Sequence, residues 1–358
     1  MDYNLKDLTI VITTYNRPKC LISLVEFYLS LNSELSILIL DSSKIIDELN
    51  IREKYKNNNK INYMYFNTNT FVIQKVGEGS KNISTKFSVL CADDDFLFPT
   101  GLQACINFLS ENDDYVSCHG KYFLHFYSKI FKKKLIKFEE IHKFGKSSYS
   151  ESPLERVSNY LTFKNNAIGP FYAVHKTEIF KKIWFNSAKN IFDWSLSELM
   201  PCALSLGYGK MKSIKVIYCS REPNYNFWYN IVEHQRGFSQ KHTISSVNMM
   251  ADELYKNHKI SKENTKSLIK YLLEDYFIEK KNLLISQEDI VNKLKDKIRS
   301  LMKNKIKLIK NIYRNSVLDR KDFNDLEFKS FSLALAIRSK ISSDEVTKSR
   351  NENKKIIK

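Results

Sequence analysis

Two nearly continuous apolar, β-branched runs near the N-terminus, Leu8–Thr13 and Ser36–Leu40, constrain the fold more than any other feature of the sequence. A run of this kind is typical of a strand that is buried on both faces of a sheet. The stretch between them, Lys19–Leu29, has helical character, and Pro18 suits the first turn of a helix. A strand, a helix and a second strand in this order predict a parallel βαβ unit, and therefore an α/β fold.

The same patterns predict further elements along the chain. Ile61–Phe66 and Phe87–Ala92 are expected to be strands, and residues 115–138 to form β structure with a hairpin. Four further helices are expected: one at Pro99–Leu109, one that begins at the capping-box sequence Ser152–Glu155, one at Thr177–Trp184, and one at Trp194–Leu206 with Gly207 as its C-cap. A last strand is expected at Ser213–Cys219.

Three consecutive aspartates, Asp93, Asp94 and Asp95, directly follow the apolar run Phe87–Ala92. Asp41 follows the second predicted strand in the same way, and ligands of open α/β sheets bind outside the carboxyl ends of the strands. These acids are therefore expected to line one crevice. Because adjacent carboxylates repel and lose hydration on burial, a divalent cation would stabilise them through its preference for oxygen ligands. The alternative is a solvated acidic turn.

The composition, with 43% apolar and 27% charged residues, is that of a soluble globular protein, and the length of 358 residues suggests roughly two domains. The net charge of +17 is concentrated at one end: residues 241–358 contain 27 Lys and Arg against 16 Asp and Glu, a difference of +11. Such a region can meet anionic lipid, nucleic acid or an acidic polymer. Scattered cysteines without a CxxC pair, and no recognisable signal peptide or membrane-spanning apolar run, predict a reducing, cytoplasmic location.

Beyond residue 240 the strand patterns give way to helical ones, at Lys262–Lys281 and Gln287–Arg314. The second predicted helix is amphipathic and basic. It is expected to pack on the rest of the protein, or alternatively to lie on an anionic membrane surface or form a homodimer interface. The polar tail is expected to be disordered. The predicted organisation is thus an α/β domain at 1–240, a basic helical extension at 241–341 and a tail at 342–358.

Four segments, in this order, resemble the family-2 glycosyltransferases with the nucleotide-sugar-binding GT-A fold. They are TIVITTYNRPKCLISLV, ILILDSS, the strand-borne CADDDFLFP, which looks like the DxD motif of that family, and NAIGPFYAVHKTEIFKKIWFN with IFDWSLSELMPCALSLGYG, which resemble its acceptor and catalytic regions. The resemblance implies a Rossmann-like, mixed and mostly parallel sheet flanked by helices. It also implies a metal-dependent inverting transfer of sugar from a nucleotide-sugar donor to a glycan or lipid-linked acceptor. The usual work of the family is bacterial surface polysaccharide, such as capsule or lipopolysaccharide.

By this resemblance, Asp95 is the ligand of a Mn²⁺ or Mg²⁺ ion that bridges to the donor diphosphate and acts as a Lewis acid. Asp93 would contact the ribose or the metal, and Asp94 the donor sugar. In an extended segment the side chains of Asp93 and Asp95 would point the same way. Asp41 would accept a hydrogen bond from the base, or alternatively cap a turn. The other donor-binding candidates are Thr13 and Tyr15 against base and ribose (with simple packing as the alternative for Tyr15), Arg17 and Lys75.

An inverting transfer needs a general base that deprotonates the acceptor hydroxyl. Asp193 matches the aspartate of the family's Glu-Asp pair, although Phe192 stands where that pair has glutamate. Glu198 is the second candidate for the base, and the alternative role for Asp193 is the N-cap of the following helix. Gly169 and Pro170 would shape the acceptor pocket.

Further candidates concern the metal shell and the diphosphate. His234 would complete the metal shell, as a downstream histidine does in some related enzymes, and its alternative is a surface histidine. Arg221 and Arg236 would bind the diphosphate directly. Gly77 and Gly79, in QKVGEGSKN, predict a flexible loop near the donor, and that segment lacks the spacing of a Walker A motif.

Two other classes of function remain as alternatives. A phosphatase with a DxD nucleophile would normally have Thr or Val shortly after the second aspartate, where this chain has Phe-Leu-Phe-Pro. A nonenzymatic protein that binds nucleic acid or an anionic polymer would fit the charge and the aromatic content, but no recognisable nucleic-acid-binding module is present. No nucleic-acid partner is therefore expected. The basic extension instead predicts peripheral contact with anionic lipid, where a lipid-linked acceptor would lie.

Overall fold

The computed structural model of the chain describes residues 3–31, 34–44, 51–130, 133–141, 146–162, 169–222, 240–279, 282, 329–331 and 333–335. Within these ranges the strands join in one nine-stranded sheet. They are β1 (Leu8–Thr14), β2 (Ser36–Asp41), β3 (Ile61–Tyr65), β4 (Phe87–Ala92), β5 (Phe96–Leu97), β6 (Tyr115–Ile130), β7 (Lys133–Glu140), β8 (Val174–Lys176) and β9 (Lys210–Arg221). The helices are α1 (Pro18–Leu29), α2 (Ile51–Tyr55), α3 (Val72–Gly79), α4 (Pro99–Glu111), α5 (Pro153–Leu161), α6 (Thr177–Asn190), α7 (Leu199–Tyr208), α8 (Gln240–His258) and α9 (residues 262–279).

The sheet has the strand order β3-β2-β1-β4-β8-β6-β9-β5, with β7 beside β6. The strand β1 pairs in parallel with β2 and β4, and β2 with β3, so the predicted βαβ unit is confirmed. The pair β6/β9 is also parallel, whereas β4/β8, β6/β8, β6/β7 and β5/β9 are antiparallel. The α/β class and the mixed sheet flanked by helices are therefore confirmed.

Local sequence signals place several element boundaries. Helix α1 begins at Pro18, where the missing N–H costs no hydrogen bond. Ser152 Oγ accepts a hydrogen bond from Glu155 N at 3.3 Å, as the capping-box sequence predicted for α5. The hairpin predicted within residues 115–138 is β6–β7, and α9 confirms the helix expected from Lys262. The helix predicted at 287–314 and the tail from 342 lie outside the described residues.

Two predictions about α7 are wrong. The helix begins at Leu199 rather than Trp194, because the carboxylate of Asp193 accepts a hydrogen bond from Ser195 N at 2.7 Å and residues 194–198 form turns. Gly207 does not cap the helix. It lies buried inside α7, where a Cβ would approach Leu254 to within 3.2 Å, and the helix continues to Tyr208.

The flexible loop predicted around Gly77 and Gly79 is also wrong, because both glycines lie in helix α3. A Cβ at Gly77 would come within 2.5 Å of Ala188 Cβ and 2.9 Å of Trp184 O on α6. The missing side chain lets two helices approach closely, and their packing outweighs the low helix propensity of glycine.

Buried side chains form two apolar clusters. The larger one contains the cores of β1, β2, β4, α1, α4 and α6, together with Phe331, Ala334 and Leu335 near the C-terminus. The smaller one joins α5, α7, α8 and α9. The described residues of the C-terminal part thus pack on the α/β part in two places.

The six cysteines all lie within the described residues and form no disulfide, and all except Cys20 are buried. The five buried cysteines are thus small residues of the core. Among the residues that the structure describes, no helix combines the length and the apolar character needed to cross a membrane.

Candidate active site

The acidic triplet, Asp93–Asp95, lies in a turn between β4 and β5. Asp95 N donates a hydrogen bond to Ala92 O at 3.2 Å. The parallel registers of β1 with β2 and β4 bring Thr14, Asp41 and the triplet together beyond the carboxyl ends of these strands. The sequence predicted this grouping for Asp41 and the triplet. The extended conformation expected for the triplet is wrong. The chain turns here to reach β5, and the turn sends Asp93 and Asp95 to different partners.

Asp93 is fully buried and is held from two sides. Its Oδ2 accepts a hydrogen bond from Thr14 Oγ1 at 2.6 Å, and its Oδ1 lies 2.5 Å from a terminal nitrogen of Arg17. The other terminal nitrogen of Arg17 donates to Asp94 Oδ2 at 2.5 Å. Burial acts to lower the pKa of Arg17, but the two carboxylates outweigh it and raise that pKa. The guanidinium thus offsets the repulsion between adjacent acids.

Asp95 is only 2% exposed and pairs with a different arginine. Arg221 Nε donates to Asp95 Oδ2 at 3.1 Å, and Glu222 N donates to Oδ1 at 3.3 Å. Burial raises the pKa of Asp95 to about 6, against the opposing effect of Arg221. Arg221 also lies over the ring of Tyr172, at 5.2 Å from its centroid. Since two of the three acids are buried and paired, the alternative of a solvated acidic turn is wrong.

Asp41 at the end of β2 closes a turn with its own neighbour. Its Oδ1 accepts hydrogen bonds from Ser43 N at 2.8 Å and Ser43 Oγ at 2.6 Å. The hydroxyl of Tyr63 on β3 donates to Oδ2. The turn-capping alternative for Asp41 is therefore present in the structure, and it leaves the carboxylate fixed at the sheet edge.

Lys75 is almost fully buried on α3 and ties the ends of β1 and β2 together. Its Nζ donates to Thr14 O at 3.0 Å and to Ser42 Oγ at 2.9 Å. Burial lowers the pKa of Lys75 to about 8, although Asp41 and Asp93 act in the opposite direction. A positive charge therefore lies behind the acids, within the structure rather than on a loop.

The residues after β1 extend this edge towards solvent. Thr13 is half-buried, whereas Tyr15 is 43% exposed, which leaves its ring accessible for stacking. Asn16 has a φ of 53°, in the left-handed region that asparagine tolerates. Its N–H donates to Ser43 Oγ at 2.8 Å, so the loops after β1 and β2 are joined.

The two candidates for the general base have different surroundings. Asp193 is buried, and its Oδ1 accepts hydrogen bonds from the N–H and the hydroxyl of Ser195. It caps the turn before α7 rather than the helix itself. Glu198 is half-buried and close enough to Arg221 and Tyr172 that its charge raises the pKa of both, although burial is the largest influence on each.

Gly169 and Pro170 lie in the short 3-10 turn Gly169–Tyr172 that leads into β8. Through Tyr172 this turn contacts Arg221. His234 and Arg236 lie outside the described residues.

The donor set suits a hard divalent cation. Asp93 and Asp95 offer buried carboxylate oxygens, which Mg²⁺ and Mn²⁺ prefer. In the part of the chain that the structure describes, no group of three or more His, Cys, Asp or Glu side chains is arranged to hold a metal. A cation there would take one or two protein ligands and the rest from diphosphate and water, which is the usual pattern for Mg²⁺.

Several residues of the site were not found from the sequence. Thr14 belongs to the quoted motif but was not singled out, and Tyr63 lies in a strand without a visible signal. Ser43 carries a signal in hindsight, because a serine two residues after an aspartate is typical of an Asx turn. Tyr172 became visible only through its contact with Arg221.

The mixed sheet, with two buried acids beyond the carboxyl ends of its parallel strands, agrees with the GT-A fold that the sequence resemblance implies. The model of the family described as Glycosyl transferase family 2 matches residues 9–184, and the chain belongs to this family through that segment. It is therefore a glycosyltransferase, and the phosphatase and nonenzymatic alternatives are set aside. A comparison with curated proteins finds no match.

Similar solved structures include those of S. aureus TarS. The crystal structure of TarS 1–349 has 12% identity and a TM-score of 0.46, over 75% of this chain and 70% of that one. Its complex with UDP-GlcNAc has 12% identity and a TM-score of 0.47, over 75% and 72%. Its complex with UDP has 13% identity and a TM-score of 0.46, over 75% and 71%.

Proposed function

We propose that this glycosyltransferase is metal-dependent and inverting, and that it moves a sugar from a nucleotide-sugar donor to a glycan or lipid-linked acceptor in bacterial surface polysaccharide synthesis. The observation that carries the proposal is the acidic triplet, with Asp93 and Asp95 buried, that two arginines hold beyond the carboxyl ends of the parallel strands. Burying two of three adjacent carboxylates costs stability, and such arrangements cluster at functional sites. The polysaccharide product follows from the family resemblance.

Charge balance supports joint binding of a cation and a diphosphate. The three carboxylates of Asp93–Asp95 carry three negative charges, and Arg17 and Arg221 supply two positive ones. A divalent cation and the two negative phosphates of a sugar diphosphate add no net charge when they enter together. The net charge of the five side chains is −1; the cation alone would change it to +1 and the diphosphate alone to −3, so the diphosphate is the partner that most needs the cation in order to enter this site.

Within this proposal Asp95 would ligate Mn²⁺ or Mg²⁺, with Asp93 as a second ligand or a ribose contact. When bound, the cation would stabilise the leaving diphosphate as a Lewis acid. Arg221 is already fixed over Tyr172 beside Asp95, and its guanidinium suits a bidentate contact with phosphate. Asp94, which is more accessible than its neighbours, would face the donor sugar. Asp41, Thr13 and Tyr15 would hold the base and ribose.

The general base would take the proton of the acceptor hydroxyl as that oxygen attacks the anomeric carbon and the bond to the diphosphate breaks. Of the two candidates we favour Glu198, because it is more accessible than the buried Asp193, whose Oδ1 already accepts two hydrogen bonds from Ser195. Asp193 has the family motif in its favour and a carboxylate already oriented by Ser195. Gly169 and Pro170 would shape the acceptor side.

The test is turnover of nucleotide sugars by the full chain. Donors linked to UDP, GDP and CDP are incubated with Mn²⁺, and release of the nucleoside diphosphate is followed. We expect turnover of one nucleotide class, and a loss of about 100-fold or more in Asp95→Asn. Asp113→Asn is the matched control, because Asp113 is fully exposed and pairs only at the surface with Lys176. Wild-type turnover by Asp95→Asn would contradict the proposal.

The C-terminal part is proposed to bind anionic lipid from the cytoplasmic side. Residues 241–358 carry an excess of +11, and each basic residue near an anionic surface contributes about 1 kcal/mol. Sedimentation of the full chain with phosphatidylserine vesicles should be strong at low salt and weak at high salt. Equal sedimentation with neutral vesicles would refute this. The division at 240/241 and a homodimer through the same region also remain proposals.

A further inference from the structure

A short C-terminal segment, of which the structure describes residues 329–331 and 333–335, packs into the core of the α/β part. Phe331 is fully buried, and Ala334 and Leu335 are buried beside it in the same cluster as β1, β2 and β4. Ser23 Oγ on α1 donates a hydrogen bond to Ala334 O at 2.7 Å, with both atoms buried. The segment is thus anchored by apolar contacts and by a polar one.

The ring of Phe331 lies among three other rings. Its centroid is 4.9 Å from that of Phe96, 5.6 Å from that of Phe98 and 5.4 Å from the ring of His125. The interplanar angles are 89°, 65° and 88°, which are edge-to-face arrangements that aromatic rings favour. Phe331 therefore fills a specific position rather than covering a surface.

These neighbours of Phe331 flank both halves of the Asp95–Arg221 ion pair. Phe96 follows Asp95 and pairs with Ser220 across β5 and β9. Ser220 precedes Arg221, and His125 Nδ1 lies 2.9 Å from Ser220 Oγ. The ring of Phe331 thus contacts Phe96, which is next to Asp95 on β5. It also contacts His125, whose hydrogen-bond partner Ser220 is next to Arg221 on β9.

We propose that residues 329–331 and 333–335 are a positioning element of the donor site, in which Phe331 holds β5 and β9 at the spacing that the Asp95–Arg221 pair requires. Strand β5 has only two residues, and its ladder with β9 is correspondingly short. The bonds to Asp95, at 3.1 and 3.3 Å, are at the long end of the hydrogen-bond range, so a small displacement breaks them. Such a site needs support from packing behind it.

The consequence is a physical link between the C-terminal part and the donor site. Helices α8 and α9 contribute to the smaller apolar cluster, and Phe331, Ala334 and Leu335 belong to the larger one beside the acids. A ligand or surface that displaces this segment would weaken donor binding. The link rests on the proposed function of the triplet.

The experiment compares Phe331→Leu with Phe180→Leu in the full chain. Phe180 is also almost fully buried, but its ring contacts those of His175 and Trp184, neither of which belongs to β5 or β9. The dissociation constant of the Mn²⁺ complex of UDP, GDP or CDP, whichever the wild type binds, is measured well below the melting temperature of each variant. We expect Phe331→Leu to weaken binding about 10-fold and Phe180→Leu to leave it unchanged. Phe331→Met, which refills much of the volume, should recover most of the affinity.

Hydrogen exchange provides a readout that needs no ligand. We expect Phe331→Leu, but not Phe180→Leu, to speed exchange of the Glu222 amide, which donates to Asp95, and of the Leu97 amide, which donates to the hydroxyl of Tyr28. Ser23→Ala, which removes the bond to Ala334 without leaving a large cavity, should act in the same direction. Unchanged exchange in both variants would overturn the positioning role. Unchanged affinity in Phe331→Leu, with nucleotide bound by the wild type, would overturn the link to the donor. If the wild type binds no nucleotide, the proposed function fails and the link fails with it.

Discussion

The Asp95–Arg221 ion pair allows a quantitative test of the site. Its two side chains are 3% and 27% exposed, so the carboxylate is buried and the guanidinium is partly solvated. Replacing Arg221 by Met removes the charge and keeps much of the side-chain volume. Replacing Asp95 by Asn removes the opposite charge at constant shape. The double variant contains neither charge.

The magnitudes follow from the burial of each partner. Breaking a fully buried pair costs about 3–5 kcal/mol, whereas an exposed pair contributes about 0–1 kcal/mol. Because Arg221 is partly exposed, we expect Arg221→Met to cost about 2–3 kcal/mol at neutral pH. Asp95→Asn should cost less, about 0–1 kcal/mol, since loss of the pair is offset by removal of a carboxylate charge that burial disfavours, and Arg221 keeps its contact with Tyr172. The double variant should be more stable than the sum of the two losses predicts, by about 2 kcal/mol.

The assay is equilibrium unfolding in urea at pH 7.5 for the four proteins of this cycle. The dependence of the unfolding free energy on urea concentration should be equal in all four, which shows that the same surface is exposed. If the two single losses add to within about 0.5 kcal/mol in the double variant, the two residues are not coupled. The ion pair would then not be a feature of the protein in solution.

Three further predictions concern other parts of the site. Burial lowers the pKa of Lys75 from 10.5 to about 8 in the folded protein. Between these two pH values the unfolded chain binds more protons than the folded one, so the contribution of Lys75 to stability rises with pH. The unfolding free energy of the wild type relative to Lys75→Met should therefore increase by about 2–3 kcal/mol from pH 7.5 to 10, and a constant difference in urea titrations would contradict this. Gly77→Ala should lower the unfolding free energy by about 1–3 kcal/mol, because its Cβ would meet Ala188 and Trp184 at 2.5 and 2.9 Å; an unchanged melting temperature would count against helix α3 as described. Glu198→Gln should reduce kcat by about 100-fold or more with little change in donor affinity, and Asp193→Asn should have the smaller effect; the reverse order in steady-state kinetics would make Asp193 the base.

The sequence was most informative where one local signal decides the structure. The apolar runs of β1, β2 and β4 are buried on both faces, and the acids that follow them lie at one sheet edge because parallel strands must end together. Pro18 and the Ser152–Glu155 capping box each specify a helix start through hydrogen bonds within one turn. These features depend on near neighbours in the chain.

Features that depend on distant partners were not predictable in this way. Gly77 looked like part of a loop because the residues that require its missing side chain lie on α6, far along the chain. Arg221 meets Asp95 across 126 positions, and Phe331 reaches Phe96 from the C-terminal end. The start of α7 was predicted too early because the turn formed by Asp193 competes with the helix. The pattern of a single sequence does not show which residues far apart in the chain will come into contact.

The central claim is that the three aspartates form a metal-dependent donor site. The most direct test is calorimetric titration of the full chain with UDP, GDP and CDP, each with and without Mn²⁺, in the wild type, Asp95→Asn and the surface control Asp113→Asn. A ligand present at about 100 times its dissociation constant stabilises the folded protein by roughly 2.7 kcal/mol, so thermal denaturation provides a second readout. The account predicts that one nucleotide binds tightly only with Mn²⁺, and that Asp95→Asn abolishes this binding while Asp113→Asn preserves it. Binding that is indifferent to both Mn²⁺ and Asp95→Asn would contradict it.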